Sequence, residues 1–388
     1  MRAVVCGAGI AGLSVAWWLR GDGWDVTLVE QAPRPRGAGY MIDFFGPGFE
    51  VAERMGLLPE LRRRAATITS VQYVDPAGRR RGRADYTAFR DAADGRLLSL
   101  PRGALAEVLH EAVVERIDLR RGLTVDSATE QADGVHVRLS DGTTTTADLL
   151  VGADGLHSRV RDLAVAPDRE AVQSLGYQTA AYLLRDDALR RLVGRRLLLV
   201  AVPDRQVALY PMDDEHLAAW LVHRDHGPVP PDPRAAVLSR YAGLGPVVDR
   251  ALTHLTPGTD LYYDDVAQTH LTRWTQGRAV LVGDAAYAPS LMAGQGASLA
   301  MTGAWALAGA LARHPGDVPT ALRRYTETMR PFVEDRQASG RRTARWLVPS
   351  TAWQIRLRQL VLAVTALPGT TPVIRRALGT QIDAALPG

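Results

Sequence analysis

Residues 4–13 read VVCGAGIAGL, with glycines at 7, 9 and 12 between an apolar run and a segment of helical spacing. This pattern suits a pyrophosphate. Gly7 permits the tight turn, Gly9 keeps the backbone bare where phosphate approaches, and Gly12 lets the helix pack on the strand. The helix start, Ala11 included, then offers free N–H groups and a partial positive charge. Glu30 closes the next strand, WDVTLVE, where a carboxylate can accept hydrogen bonds from ribose hydroxyls. The same charge would repel a 2′-phosphate, so FAD or NAD fits this groove and NADP does not. A second stretch, DLLVGADGLHSRVR at 148–161, ends a strand on Asp154–Gly155 and opens a helix with Ser158 and Arg159. By itself it is equally a DG turn. A third, LVGDAAYAPSLMAGQGASLA at 281–300, runs from a strand into Asp284, then through a loop with Gly294 and Gly296 into an Ala-rich helix. An acid there can hold polyol hydroxyls, and the helix start can offer N–H groups to an anionic edge.

The elements that must position these groups come from the periodicities. The first segment predicts strand–helix–strand, followed by an Arg-, Pro- and Gly-rich loop and a single helix over FEVAERMGLLPEL. Strands and turns follow from 67 to 98, then a helix after Pro101 and a meander over 123–155, which LHSRVRDLA continues as a helix. Residues 171–265 form a different unit: SLGYQTAAYLL, RLLLVAVPDRQVALYPM and LAAWLVHR predict strands, and PRAAVLSRYAGL a helix. From 268 the chain returns to a strand, a helix through Ala312, another over 319–345 and an amphipathic one over 352–366. A nucleotide fold thus begins, departs into a second sheet and comes back, which places a site between the two sheets.

Bulk composition excludes several classes. The 388 residues suffice for two domains, and no apolar run is long enough to span a bilayer. The start has no signal-peptide pattern. The single cysteine, Cys6, fits a reducing compartment and reads as a small core residue. The net charge is +4, yet all 46 basic residues are arginine and asparagine is absent too, which fits the codon bias of a GC-rich genome. The clusters LRRRA and GRRRGR are short and read as solvated loops, so no nucleic acid is expected. Nine scattered histidines show no metal-ligand spacing, so no metal is expected.

Together, GAGIAG, GADG and GDAA…GQG resemble the single-component FAD-dependent (group A) aromatic hydroxylases typified by para-hydroxybenzoate hydroxylase. The resemblance covers nearly the whole chain. The length and the stretch YMIDFFGPGFEVAERMGLLPEL are most similar to the small tetracycline-inactivating type. It implies an α/β fold: a Rossmann-like FAD-binding domain of the GR2 type (1–70, 100–170, 268–345), interleaved with a smaller α+β substrate domain (71–99, 171–267) over a mixed or antiparallel sheet, and a C-terminal helical segment (346–388). It implies non-covalent FAD held by Gly7, Gly9, Ala11, Gly12 and Glu30. Arg102 would contact the cofactor, Asp154 support it, Asp284 bind its ribityl chain, and Gly294, Gly296, Ala297 and Ser298 face its pyrimidine edge. Donors there would stabilise charge on reduced flavin. Arg36 is a further cofactor candidate, equally readable as a solvated loop arginine.

The implied reaction uses NADPH or NADH and O₂, and transfers one oxygen atom through a C4a-hydroperoxyflavin to an aromatic or polycyclic substrate, as in natural-product tailoring or antibiotic modification. No catalytic residue beyond the flavin is expected. Tyr210 and Trp220, at one parity with Ala208, Ala218 and Val222, and the loop residues Leu291 and Met292 are candidates for the substrate pocket, and each is equally a core residue. A cytoplasmic monomer or homodimer is expected. Tyr287, Ser290, Leu291 and Ser298 depart from the family pattern, so the middle of the loop, YAPSLM, is where substrate choice is expected to be partly written. A halogenase is disfavoured because the chain lacks lysine. A reductase or oxidase on the same frame, or a protein that keeps FAD without turnover, stays open.

Overall fold

The computed structural model describes residues 1–34, 40–165, 171–365 and 386. Arg36 and the end of the chain beyond 365, Leu386 apart, lie outside the described residues. The first sheet has six strands in the order Thr275–Gln276, Ala279–Leu281, Leu149–Gly152, Arg2–Cys6, Asp25–Glu30 and Asp118–Arg121. All pair in parallel except the short edge strand Thr275–Gln276. Helices pack on this sheet, so its central strands are buried runs such as AVVC and LLVG with no polar alternation. Cys6 is buried here; desolvation and the nearby Asp154 carboxylate push its thiol up, so it stays protonated. Gly7, Glu30, Asp154 and Asp284 all sit at or just past the carboxyl ends of four neighbouring parallel strands, the edge at which open α/β sheets hold ligands.

The expected meander is three strands, Val125–Gln131, Gly134–Leu139 and Thr144–Ala147. Leu149–Gly152 leaves it for the parallel sheet, because an all-apolar strand must be covered on both faces whereas an alternating one can leave a face wet. FEVAERMGLLPEL forms two helices, Pro47–Arg54 and Leu58–Arg64, not one. Gly56 takes φ +73° between them, and the Leu57 N–H closes back on the Ala52 carbonyl at 2.9 Å, a glycine-terminated helix end. LHSRVRDLA is helical from residue 159 and continues as a wide turn over Arg161–Val165.

The second sheet has seven strands in the order Tyr262–Thr269, Val172–Leu184, Leu217–Arg224, Arg205–Pro211, Arg196–Val202, Ser70–Val74 and Arg80–Asp85. Tyr262–Thr269 pairs along Val172–Leu184, so the boundary expected at 268 falls inside this strand. One face is covered by helices Asp187–Val193, Pro233–Tyr241 and Pro246–Leu252, which bury Leu209, Ala219 and Leu221. The opposite parity, Ala208, Tyr210 and Ala218, packs with Phe45, Tyr86 and Leu97. The two sheets meet through a two-stranded ribbon, Met41–Phe45 with Leu97–Pro101. Ile42 and Phe44 enter the core of the first sheet while Met41 and Phe45 enter that of the second. Helix Gly296–Arg313 packs on Ile10–Gly21, the long helix Val318–Leu347 lies against Gly296–Arg313, and Ala352–Thr365 follows it.

Candidate functional site

The glycine loop separates into two structural glycines and one that faces open space. Gly7 has φ +102°, and a Cβ there would lie 2.4 Å from the Ala153 carbonyl oxygen. A Cβ on Gly12 would lie 1.8 Å from the Gly7 carbonyl oxygen. Gly9 caps helix Ile10–Gly21 in extended conformation, and a Cβ there meets nothing within 4 Å. A cradle with two tight walls and one bare floor at a helix start fits a pyrophosphate. Glu30 is tied to this loop: its carboxylate accepts from the Ala8 N–H at 2.7 Å and the Ala32 N–H at 2.8 Å. Asp154 is occupied in the same way, accepting from the Ser158 hydroxyl and from the Arg159 and Val160 N–H groups at 2.7 and 3.1 Å. It braces the loop that backs Gly7.

Asp284 follows Gly283, at φ +69°, and starts a one-turn helix at the end of strand Ala279–Leu281. Burial pushes its carboxyl above the usual range, Asp264 adds to this, and Arg102 opposes it. Arg102 begins helix Arg102–Val113, its N–H on the Tyr40 carbonyl at 3.0 Å. Tyr40 leads the groups that raise its pKa, against burial, with Asp284 and Tyr262 adding. Yet the Arg102 side chain is open to solvent. A cation that is accessible while groups from three other segments ring it stands inside a cleft, and Tyr40 and Tyr262 close one side with ring centroids 5.6 Å apart. Spacing gave no sign of Tyr40, Tyr262 or Asp264, because they converge from the ribbon and from an edge strand.

The loop from 288 to 295 is pinned from behind. Gln268 donates to the Pro289 carbonyl at 2.9 Å and Gln337 to the Thr269 carbonyl at 2.7 Å. Only glycine at 340 lets the long helix approach, since a Cβ would lie 2.4 Å from the Pro289 oxygen. Ser290 holds φ +84°, and two buried polar atoms of this loop, Ser290 Oγ and Gln295 Nε2, have no hydrogen-bond partner. Gly294, at φ +64°, faces open space, and helix Gly296–Arg313 begins two residues on with Ala297 in its first turn. Bare backbone, a helix start and orphaned polar atoms together fit the polar edge of a ring system. Ser298 has a packing duty besides: its hydroxyl accepts from the Gly48 N–H at 2.8 Å, locking two helix starts together.

Tyr287 does not face this cleft. Its hydroxyl is 2.9 Å from that of Tyr325, which donates to the Leu281 carbonyl, and its ring packs on Trp274. The first departure in the loop is thus a core feature, because the one-turn helix at Asp284 turns that side chain toward Val318–Leu347. Of the four pocket candidates, Met292 is corrected to core, 3% exposed among Tyr177, Val222 and Ala344. Tyr210 is also buried, and its hydroxyl accepts from the Met41 N–H at 3.0 Å. Trp220 and Leu291 stay partly open, with Trp220 held by its Nε1–H on the Thr179 hydroxyl at 2.9 Å.

A group that the sequence did not single out is Asp43. It sits between Met41 and Phe45 on the ribbon face turned to the second sheet, and accepts from the Tyr86 and Ser99 hydroxyls. Burial holds its carboxyl above the ordinary range despite those two donors. His223 points to the other face of the sheet, its Nδ1 3.0 Å from the Tyr241 hydroxyl. Burial, aided by Arg240, lowers it from the ordinary 6.5 to about 4, so it is neutral at pH 7. A base with a depressed folded pKa gives stability that is present above 6.5 and lost as pH falls toward 4. Urea unfolding at pH 7 and pH 5 should show a loss of about 2 kcal/mol from this group, absent in His223→Gln. An unchanged pH difference in that variant would assign the acid sensitivity elsewhere.

Residues 1–337 match the FAD binding domain family. The chain belongs to that family of FAD monooxygenases. A flavin-dependent monooxygenase from an unknown prokaryotic organism is 30% identical to this monooxygenase over 350 residues, covering 87% of this chain and 88% of the relative. Among solved structures, tetracycline destructase Tet(55) aligns over 100% of this chain and 98% of its own, at TM-score 0.82 and 27% identity. Klebsiella pneumoniae HpxO, solved with FAD and uric acid, shares the fold at TM-score 0.82 and 24% identity, over 99% and 98% of the two chains. No helix among the monooxygenase's described residues is long and apolar enough to cross a membrane, and no described group of His, Cys, Asp and Glu could hold a metal.

Proposed function

We propose that this protein uses NAD(P)H and O₂ to oxygenate an aromatic or polycyclic small molecule. The observation that carries this reading is the shared edge: Gly7, Gly9, Gly12, Glu30, Asp154 and Asp284 end or follow neighbouring parallel strands, and Arg102, Tyr40 and Tyr262 gather around Asp284 at that edge. The glycine loop and helix Ile10–Gly21 would hold the FAD pyrophosphate, Glu30 the adenosine ribose, Asp284 and Arg102 the ribityl region, and the backbone at 294–298 the pyrimidine edge. Bound there, FAD supplies the redox chemistry that takes electrons from NAD(P)H and activates O₂.

The chain's own residues do the remaining work. Trp220 and Leu291 wall the approach with apolar surface and keep water out. Asp43, braced by two hydroxyls in that apolar setting, can accept a hydrogen bond from a phenolic substrate and hold its oxygen in place. The relatives that carry the name monooxygenase support oxygenation, and a neighbour that is a tetracycline destructase supports a polycyclic substrate.

The test screens aromatic and polycyclic phenols for stimulated NADH or NADPH oxidation by the flavin-loaded enzyme, with the product mass measured. Gain of one oxygen atom in a substrate, coupled to nucleotide consumption, is the expected result. Nucleotide consumption matched by hydrogen peroxide, with no substrate oxygenated, would replace this reading by an oxidase.

A further inference from the structure

The last described helices carry arginines that form no ion pair among the described residues. From 341 to 361 there are five arginines and no aspartate or glutamate. Helix Val318–Leu347 ends near Pro349, and Ala352–Thr365 leaves a groove of about 420 Å³ against it. Its walls include Arg342, Arg345, Arg358, Trp346, Trp353 and Leu357, and no acidic residue. Trp346 is 43% and Trp353 67% exposed, unusual for the largest apolar side chains.

Arg358 makes this more than a surface patch. It is 1% exposed, and its Nη1 donates to the Leu347 carbonyl and to Gln206 Oε1. Its guanidinium lies 5.3 Å from the centroid of the Tyr73 ring. Its Nε and Nη2 have no partner, and no carboxylate among the described residues pairs with it. A buried cation with two unmet donors and no counter-ion is costly, and an anion at the groove relieves that cost.

We propose that this groove binds a planar aromatic anion, a carboxylate or phenolate on two or three rings, apart from the flavin cleft. Guanidinium forks match the planar, two-oxygen geometry of a carboxylate, and two indoles offer stacking faces. The volume suits a ligand of that size. The lack of any acid in the wall selects against cations. The site also bears on the substrate face: Gln206 shares its side of strand Arg205–Pro211 with Ala208 and Tyr210, the latter roughly 14 Å along the strand. An occupant that draws on Arg358 therefore pulls on the partner of Gln206.

This proposal does not rest on the oxygenation reading, since its readout is binding. The flavin-loaded full chain is titrated with 2-naphthoate by calorimetry and by tryptophan fluorescence, with neutral 2-naphthalenemethanol and acetate as controls. Expected are saturable binding of 2-naphthoate with quenching of tryptophan emission, and binding at least tenfold weaker for the neutral compound. Arg342→Gln/Arg345→Gln, at exposed positions, should lower affinity at least tenfold, and Trp353→Ala should remove most of the quenching. Arg358→Met serves as a third variant only if it folds. No saturable binding, equal binding of the neutral compound, or unchanged affinity in the double arginine variant would each overturn the proposal, the last by placing naphthoate elsewhere.

Discussion

A Gly9→Val variant is expected to fold like the parent and to purify without flavin. The reason is where the added atoms go. Gly9 has φ −82° and ψ −174°, which any residue adopts, and a Cβ there meets no protein atom within 4 Å. The cost to the fold is therefore within about 1 kcal/mol, the scale of an N-cap change. The new methyls occupy the space over the helix start instead, and FAD affinity should fall by roughly 100-fold or more, about 3 kcal/mol. Gly12→Val is the contrasting case. Its Cβ would stand 1.8 Å from a backbone oxygen, so the loss is of folding itself, about 3 kcal/mol or more, with flavin lost as a consequence. Urea unfolding of the apoproteins separates the two, with flavin absorbance read alongside. A stable Gly9→Val protein with full flavin content would show that the loop holds no pyrophosphate.

Asp284→Asn is expected to move stability and cofactor affinity in opposite directions. Desolvation and Asp264 raise the Asp284 carboxyl, with Arg102 only partly compensating. A carboxyl with a raised folded pKa favours the fold at low pH, and that contribution is lost as pH rises through the folded value. Once ionised, the group therefore works against the apoprotein, and its neutral isostere should unfold at equal or higher urea concentration. FAD should bind roughly 10- to 100-fold more weakly, the scale of a hydrogen bond to a charged group. Such an opposition is what a group kept for a ligand produces. If the Asp284→Asn variant binds FAD as tightly as the parent, the ribityl role is wrong and Asp284 is a cleft acid of another kind.

How legible the site was in the sequence depended on where its residues came from. Gly7, Gly9, Gly12 and Glu30 are neighbours along one strand–turn–helix–strand unit, and the spacing that shapes the turn is itself the signal. Asp154 and Asp284 showed because each ends a short apolar strand, and strand ends of a parallel sheet gather on one edge. Tyr40, Tyr262, Asp43 and Asp264 carried no such mark. Each lies on a segment whose local pattern is that of any strand, and its role comes only from a ribbon and an edge strand brought alongside the first sheet. The directions of Met292 and Tyr287 were not legible for a related reason. Loop residues have no periodicity to say which way they point, and here the pinning by Gln268, Gln337 and Gly340 turned both toward the long helix.

The sequence by itself determined the two kinds of sheet and the cofactor class. A glycine turn, a strand-end acid and strand alternation are local properties, set by backbone sterics and by which side of a pleat meets water. Only the tertiary structure decided which side chains share the cleft, that Tyr287 belongs to the core, and that Arg358 is buried with no counter-ion among the described residues. Those follow from how long-range packing distributes desolvation, and desolvation depends on neighbours that the chain supplies from far away.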